Sequence, residues 1–151
     1  MLPPTDYRHQ ARTLALQALY ELDCTDHPLG EVLEARLSAE DVSAAARALA
    51  ERLVRGVLAN REALDTLIQR YAPEWPLEQL AIVDRNILRI AIYEMGAGDG
   101  TPVNVAIHEA IELAKTFGAE NTPRFINGVL GTLAAHENEL QRAFAPPPSR
   151  L

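Results

Sequence analysis

Between Leu88 and Tyr93 the chain runs Leu-Arg-Ile-Ala-Ile-Tyr, and in this stretch only Arg89 is not apolar. A helix that is apolar around almost its whole circumference has to be packed from several directions. The preceding and following positions, Leu80, Val83, Ile87, Ile90, Ala91 and Met95, keep helical spacing. This segment is therefore expected to be the hub of the fold, with other helices arranged around it. Charges break the run from Leu80 to Met95. It falls short of the roughly 18 uninterrupted apolar residues a membrane helix needs.

The rest of the chain supplies the surrounding helices. Hydrophobic residues make up 48% of the 151 residues but aromatics only 5%, so the apolar content is chiefly Ala, Leu, Ile and Val in runs dominated by helix formers. That composition predicts an all-α chain, and the length suits one domain able to bury a core without disulfides or metal. A first helix is expected from Thr5 or Asp6 to about Asp23, with Ala11, Ala15, Ala18, Leu19 and Leu22 inward. Arg8 and Arg12 continue that stripe toward the N-terminus, which predicts a basic overhang beyond the bundle. A short helix follows at about Glu31 to Leu37, and a longer one at about Asp41 to Leu58 buries Val42, Ala46, Leu49, Leu53 and Val57. Gly56 inside it marks close packing or a kink. Ala63 to Tyr71 adds a fourth helix, which Pro73 ends.

After the rigid connector Tyr71 to Pro76 and the central helix, two helices carry the same punctuation. Thr101-Pro102 reads as an N-cap and a first-turn proline, with Ala106, Ile107, Ala110, Ala114 and Phe117 inward and Gly118 as C-cap. Thr122-Pro123 repeats the signal ahead of Ile126, Val129, Leu130 and Leu133. Gly128 and Gly131 each cost about 1 kcal/mol of helix propensity against Ala, which predicts close helix-to-helix approach there. The expected layout is about seven helices in residues 1–138, with an N-terminal bundle at about 5–72 and a C-terminal bundle at about 77–138. Residues 139–151, ending Pro146-Pro147-Pro148-Ser149-Arg150-Leu151, read as a disordered tail.

No catalytic constellation stands out, and no cofactor or metal is expected. The loop Gly96-Ala97-Gly98-Asp99-Gly100 has neither a preceding strand nor a following Lys-Ser/Thr, so it reads as a turn rather than a phosphate cradle. His108 and Glu112 share a helix face without an evident third ligand, and Cys24, the lone cysteine, lacks an activating neighbour and an internal disulfide partner. With no secretory signal in Met-Leu-Pro-Pro, a cytoplasmic protein is expected. The net charge of −7 argues against a generic nucleic-acid binder, so any RNA contact must be local. Two local clusters suit RNA. Arg8 and Arg12, with His9 and Gln10 beside them, can meet phosphates and bases; Asn121, Arg124 and Phe125 sit at a helix start, where free amides and the dipole attract anions. Taken alone, the Arg8 and Arg12 pair reads more readily as a solvated helix end, and the second cluster reads equally as a core Phe125 beside a solvated Arg124.

Four ordered blocks change that balance: Ala11 to Tyr20, Val83 to Glu94, Pro102 to Gly118, and Arg124 to Leu130. Together they make the chain resemble the NusB family of bacterial transcription antitermination factors over about residues 7 to 134. The resemblance implies a fold of seven helices in two small subdomains, and a role in recognition rather than chemistry. It implies binding of the boxA element of nascent transcripts together with the ribosomal protein NusE, within the antitermination complex that helps RNA polymerase through ribosomal RNA operons. By position, the family's arginine-rich start falls on Arg8, His9, Gln10 and Arg12, and its second RNA segment on Asn121, Arg124 and Phe125. Its NusE-facing surface falls on Tyr20, Glu78 and Asp84. This chain is poorer in arginine at its start than typical members. A NusB-like domain also opens ribosomal RNA cytosine methyltransferases, an enzyme reading not expected here, and some family members form homodimers. Removing Arg8 and Arg12 together is expected to weaken RNA binding while leaving the fold intact.

Overall fold

The computed structural model describes residues 6–97 and 100–144, with the backbone alone described at residue 6. These form α1 (Asp6–Cys24), α2 (Leu29–Leu37), α3 (Ala44–Ala59), α4 (Arg61–Tyr71), a 3-10 turn (Leu77–Gln79), α5 (Ile82–Gly96), α6 (Val103–Phe117), α7 (Thr122–Ala134) and α8 (Glu137–Phe144). The described residues are all-helical.

α5 is the hub that its apolar circumference predicts. It packs against α1, α3, α4, α6, α7 and α8, and Asn86 through Ile92 and Glu94 are all buried. Arg89, the polar exception, is buried as well. Its guanidinium is bidentate to Asp65 of α4 at 2.8 and 3.1 Å, and Nη1 donates to Asp23 of α1 at 3.0 Å and to Asn86 Oδ1 at 3.1 Å. The charge is tolerated at the hub because two carboxylates and an amide oxygen satisfy it, and it ties three helices together.

The expected inner stripes are largely those observed. On α1, Ala11, Ala15, Ala18 and Leu19 are buried, with Leu22 partly so; on α3, Ala46, Leu49, Leu53 and Val57 are buried, as is Val42 just before it. α3 begins at Ala44, because the Ser43 side chain caps Ala46 N at 3.1 Å. Gly56 is a close approach: a Cβ there would overlap the Tyr93 ring of α5. Between α4 and α5, Gln69 stiffens the connector, donating to the Trp75 carbonyl at 2.8 Å and accepting from Leu77 N at 2.8 Å.

Four expectations are corrected. The chain does not become a tail at residue 139, since Glu137–Phe144 is helical. Leu140 and Phe144, one turn apart, dock on α5 at Gly96, and Glu139 is held by Arg70 and Tyr71. The proline-rich stretch expected to be disordered, residues 146–151, lies outside the described residues, as does Thr5. Thr101 is not a cap, because α6 starts after Pro102 and the Thr101 hydroxyl turns inward to Glu94 Oε2 at 3.2 Å. Gly118 caps α6 in extended rather than left-handed backbone, and its need for glycine is steric, since a Cβ would meet the Thr122 side chain at 2.6 Å. Gly128 and Gly131 lie on the exposed face of α7, where a Cβ at either position would meet nothing within 4 Å, so no helix approaches them closely.

Candidate nucleic-acid interface

Two ion-paired junctions set the direction of α1 against α5. Arg12 meets Glu94 near one end of the pair, and Asp23 meets Asn86 and Arg89 near the other, so the two helices run antiparallel. The start of α1 therefore lies by the end of α5 and the start of α6, and the end of α1 lies by the start of α5.

At the start of α1 the four expected RNA residues part company. Arg8 is exposed; its Nε donates to the Tyr7 hydroxyl at 3.1 Å and its guanidinium carbon lies 5.5 Å from the Tyr7 ring centroid. His9 is exposed and its Nδ1 is 3.3 Å from Glu109 Oε2 of α6. Gln10 is half-buried, and its amide donates to the Asp41 carbonyl at 3.0 Å, holding the loop ahead of α3.

Arg12 is only 4% exposed, and the solvated overhang expected for it is not what the fold builds. The core of α1 already begins at Ala11, so a side chain at position 12 turns inward beneath the bundle. There its Nε and Nη2 grip both oxygens of buried Glu94 at 2.9 and 2.8 Å, with Glu109 Oε2 3.9 Å from Nη1. An arginine desolvated and bidentate to a carboxylate is part of the fold's scaffold, and truncating one partner of such a pair typically costs about 3–5 kcal/mol.

The start of α7 keeps its expected display. Asn121 and Arg124 are exposed, Phe125 is half-buried against the core, and Arg124 takes part in no ion pair among the described residues. This turn is fixed from below by Thr122, which is buried. Its hydroxyl accepts from Ala119 N at 3.0 Å and donates to Asp84 Oδ1 of α5 at 3.1 Å.

The two cationic clusters are thus not side by side. Arg8 sits by Thr101, Pro102 and Val105 at one end of α6, and α7 opens just past the other end. A helix of 15 residues separates them by about 22 Å. Glu109, on α6 between them, has its carboxylate covered by His9 and Arg12, which lowers the repulsion an anion crossing α6 would meet.

Of the residues expected to face a protein partner, Tyr20 is 43% exposed and Glu78 is exposed on the 3-10 turn. Asp84 is different. It is half-buried and turned toward Thr122, and burial pushes its carboxyl above the ordinary range against the opposing hydrogen bond from Thr122. Its first task is to seat α7 on α5, so it is not an open acidic contact. Because Asp84 joins the two helices, the start of α7 adjoins the start of α5, just after the 3-10 turn that carries Glu78.

Reading charge position by position missed Glu94, Asp23 and Asp65. The available signal was that Arg89 and Glu94 are charges within an otherwise apolar helix and so require buried partners. Among the described residues no group of three or more His, Cys, Asp or Glu side chains is placed to hold a metal ion, and no helix is long and apolar enough to cross a membrane.

Comparison with known proteins places this geometry. The NusB family matches residues 9–135. The transcription antitermination protein NusB of Chloroflexus aggregans is 47% identical over 128 residues, covering 83% of this chain and 85% of that protein. A solved structure of NusB from T. maritima superposes with a TM-score of 0.78 at 36% identity, covering 97% of this chain and 96% of the other. A crystal structure of the antitermination factors NusB and NusE in complex with double-stranded RNA has the same fold, with a TM-score of 0.78 at 24% identity over 87% of this chain and 98% of that one.

Proposed function

The chain belongs to the NusB family, and from that premise we propose that it acts as a transcription antitermination factor, binding boxA RNA of nascent transcripts together with the ribosomal protein NusE. In that role it supports RNA polymerase on ribosomal RNA operons, in the cytoplasm. The observation that carries the reading is the pair of solvent-facing cationic helix starts, Arg8 with His9 on α1 and Arg124 with Asn121 and Phe125 on α7, set at opposite ends of α6. Arginine donates to phosphate oxygens in a fixed fork, and an aromatic ring at a helix start offers a stacking surface to an unpaired base.

The net charge of −7 fits a division of labour. Local cations meet the RNA, while the acidic remainder suits a basic ribosomal protein and favours its encounter. Tyr20 and Glu78 supply the exposed part of that partner face, beside the α7 patch, so a bound NusE extends the RNA surface from the α7 end. Arg12 and Gln10 serve the site by fixing α1 in place, and Asp84 by fixing α7.

Fluorescence anisotropy with a labelled boxA RNA, titrated with this chain, with NusE and with both, tests the proposal. The pair is expected to bind more tightly than either alone. Equal affinity with and without NusE would defeat the composite surface.

A further inference from the structure

Beside Arg8 the structure has a cavity of about 440 Å³ between the start of α1, one face of α3 and the start of α6. Its size falls within the ~300–1,000 Å³ range of small-ligand sites. Its walls divide by chemistry. Tyr7, Leu49, Pro102 and Val105 give an apolar side, and Val105 is one of the few large hydrophobic side chains left exposed among the described residues. Arg8 and Arg52 line the same cavity from α1 and α3. Arg52 is exposed and takes part in no ion pair among the described residues. The charge of Arg12, which also borders the cavity, is already matched by Glu94. Two cations facing one concave space repel each other unless an anion enters between them.

We propose that this cavity takes one unstacked nucleotide of a single-stranded RNA, its phosphate held between Arg8 and Arg52 and its base against Tyr7 and Val105. The assignment rests on the RNA-binding reading and deepens it, because it extends the α1 patch onto α3 and gives Arg52 a phosphate contact. It also offsets the thin arginine content at the chain's start, since the second cation comes from another helix.

The test measures binding of a fluorescein-labelled single-stranded boxA RNA to the full chain as a function of salt. Arg52→Gln is expected to weaken binding about tenfold, the scale of one charge-assisted contact. It should also reduce the salt slope by at most about 0.7, the value for one phosphate on a single strand, because Arg8 shares that phosphate. Arg55→Gln is the control, an exposed arginine on the same helix that pairs with Glu51 and does not line the cavity; it is expected to leave both quantities unchanged. Val105→Trp fills the mouth without altering charge and is expected to lower affinity while keeping the slope. If Arg52→Gln matches Arg55→Gln while the wild-type chain binds with a clear salt slope, the nucleotide pocket is overturned and the RNA-binding reading stands. If the wild-type chain shows no salt-dependent binding either alone or with NusE, both fall.

Discussion

The starts of α1 and α7 carry arginines that look equivalent in sequence, yet the fold uses them in opposite ways. On α1, Arg8 and Arg12 are one turn apart, and a single turn carries the chain from solvent to a buried bidentate pair with Glu94. On α7, Arg124 stays in solvent because the inward position of that turn is occupied by Thr122, a small side chain that Asp84 and Ala119 fully engage. The difference teaches that helical spacing assigns residues to a shared stripe but does not say where along it the covering helices begin. A charged side chain becomes structural where the stripe is covered and a carboxylate waits on the neighbouring helix.

The largest effect that can break this contrast lies at Arg12. Arg12→Ala is expected to destabilise the chain by about 3–5 kcal/mol in urea unfolding, because it leaves Glu94 charged and buried. The double replacement Arg12→Met with Glu94→Leu should recover most of that loss. A loss below ~0.5 kcal/mol for Arg12→Ala, the range of ordinary surface changes, would return Arg12 to the solvated class. For the same reason, removing Arg8 and Arg12 together is no clean test of RNA contact.

The α7 side responds in the other direction. Gly131→Ala adds a methyl group to an exposed helix position with open space around it, and is expected to stabilise by about 0.4–1 kcal/mol. Thermal unfolding that shows a loss instead would mean that the face is covered.

A smaller, pH-dependent effect sits at Asp84, which seats α7. Burial raises its folded-state pKa above the ordinary aspartate value. The folded chain therefore takes up the proton before the unfolded one does, and Asp84's contribution to stability rises as pH falls from neutral through the folded pKa. Asp84→Asn should accordingly gain over the wild type at neutral pH, with the gap closing on acidification. A gap that widens at low pH would show that the ionised carboxylate is the favoured form.

Much of the fold was legible because it follows from helical periodicity. The hub, the inner faces of α1 and α3, and the breaks at Pro73 and Pro102 are consequences of apolar spacing and proline geometry. Several of the misreadings share one cause, which is dependence on a neighbour distant in sequence. At Gly56, where the sequence left close packing or a kink open, the Tyr93 ring decides for close packing, whereas Gly128 and Gly131 show the same residue type with no helix above it. α8 escaped notice because Leu140 and Phe144 form a stripe only one turn long, stabilised by docking at Gly96 and by Arg70 and Tyr71 on α4. In the candidate site, residue types and helix starts were legible, but the split of Arg8 from Arg12 and the inward turn of Asp84 depended on Glu94 and Thr122. Arg52 carried no local signal, and only the cavity brings it to Arg8.

The central claim is that Arg8 and Arg124 meet RNA phosphates from two ends of α6 while Arg12 holds the frame. It is tested most directly by the salt dependence of boxA RNA affinity for the Arg8→Ala, Arg124→Ala double variant. The account predicts a slope reduced by about 1.4, two phosphates at ~0.7 each, with thermal unfolding unchanged. An unaltered slope would contradict it.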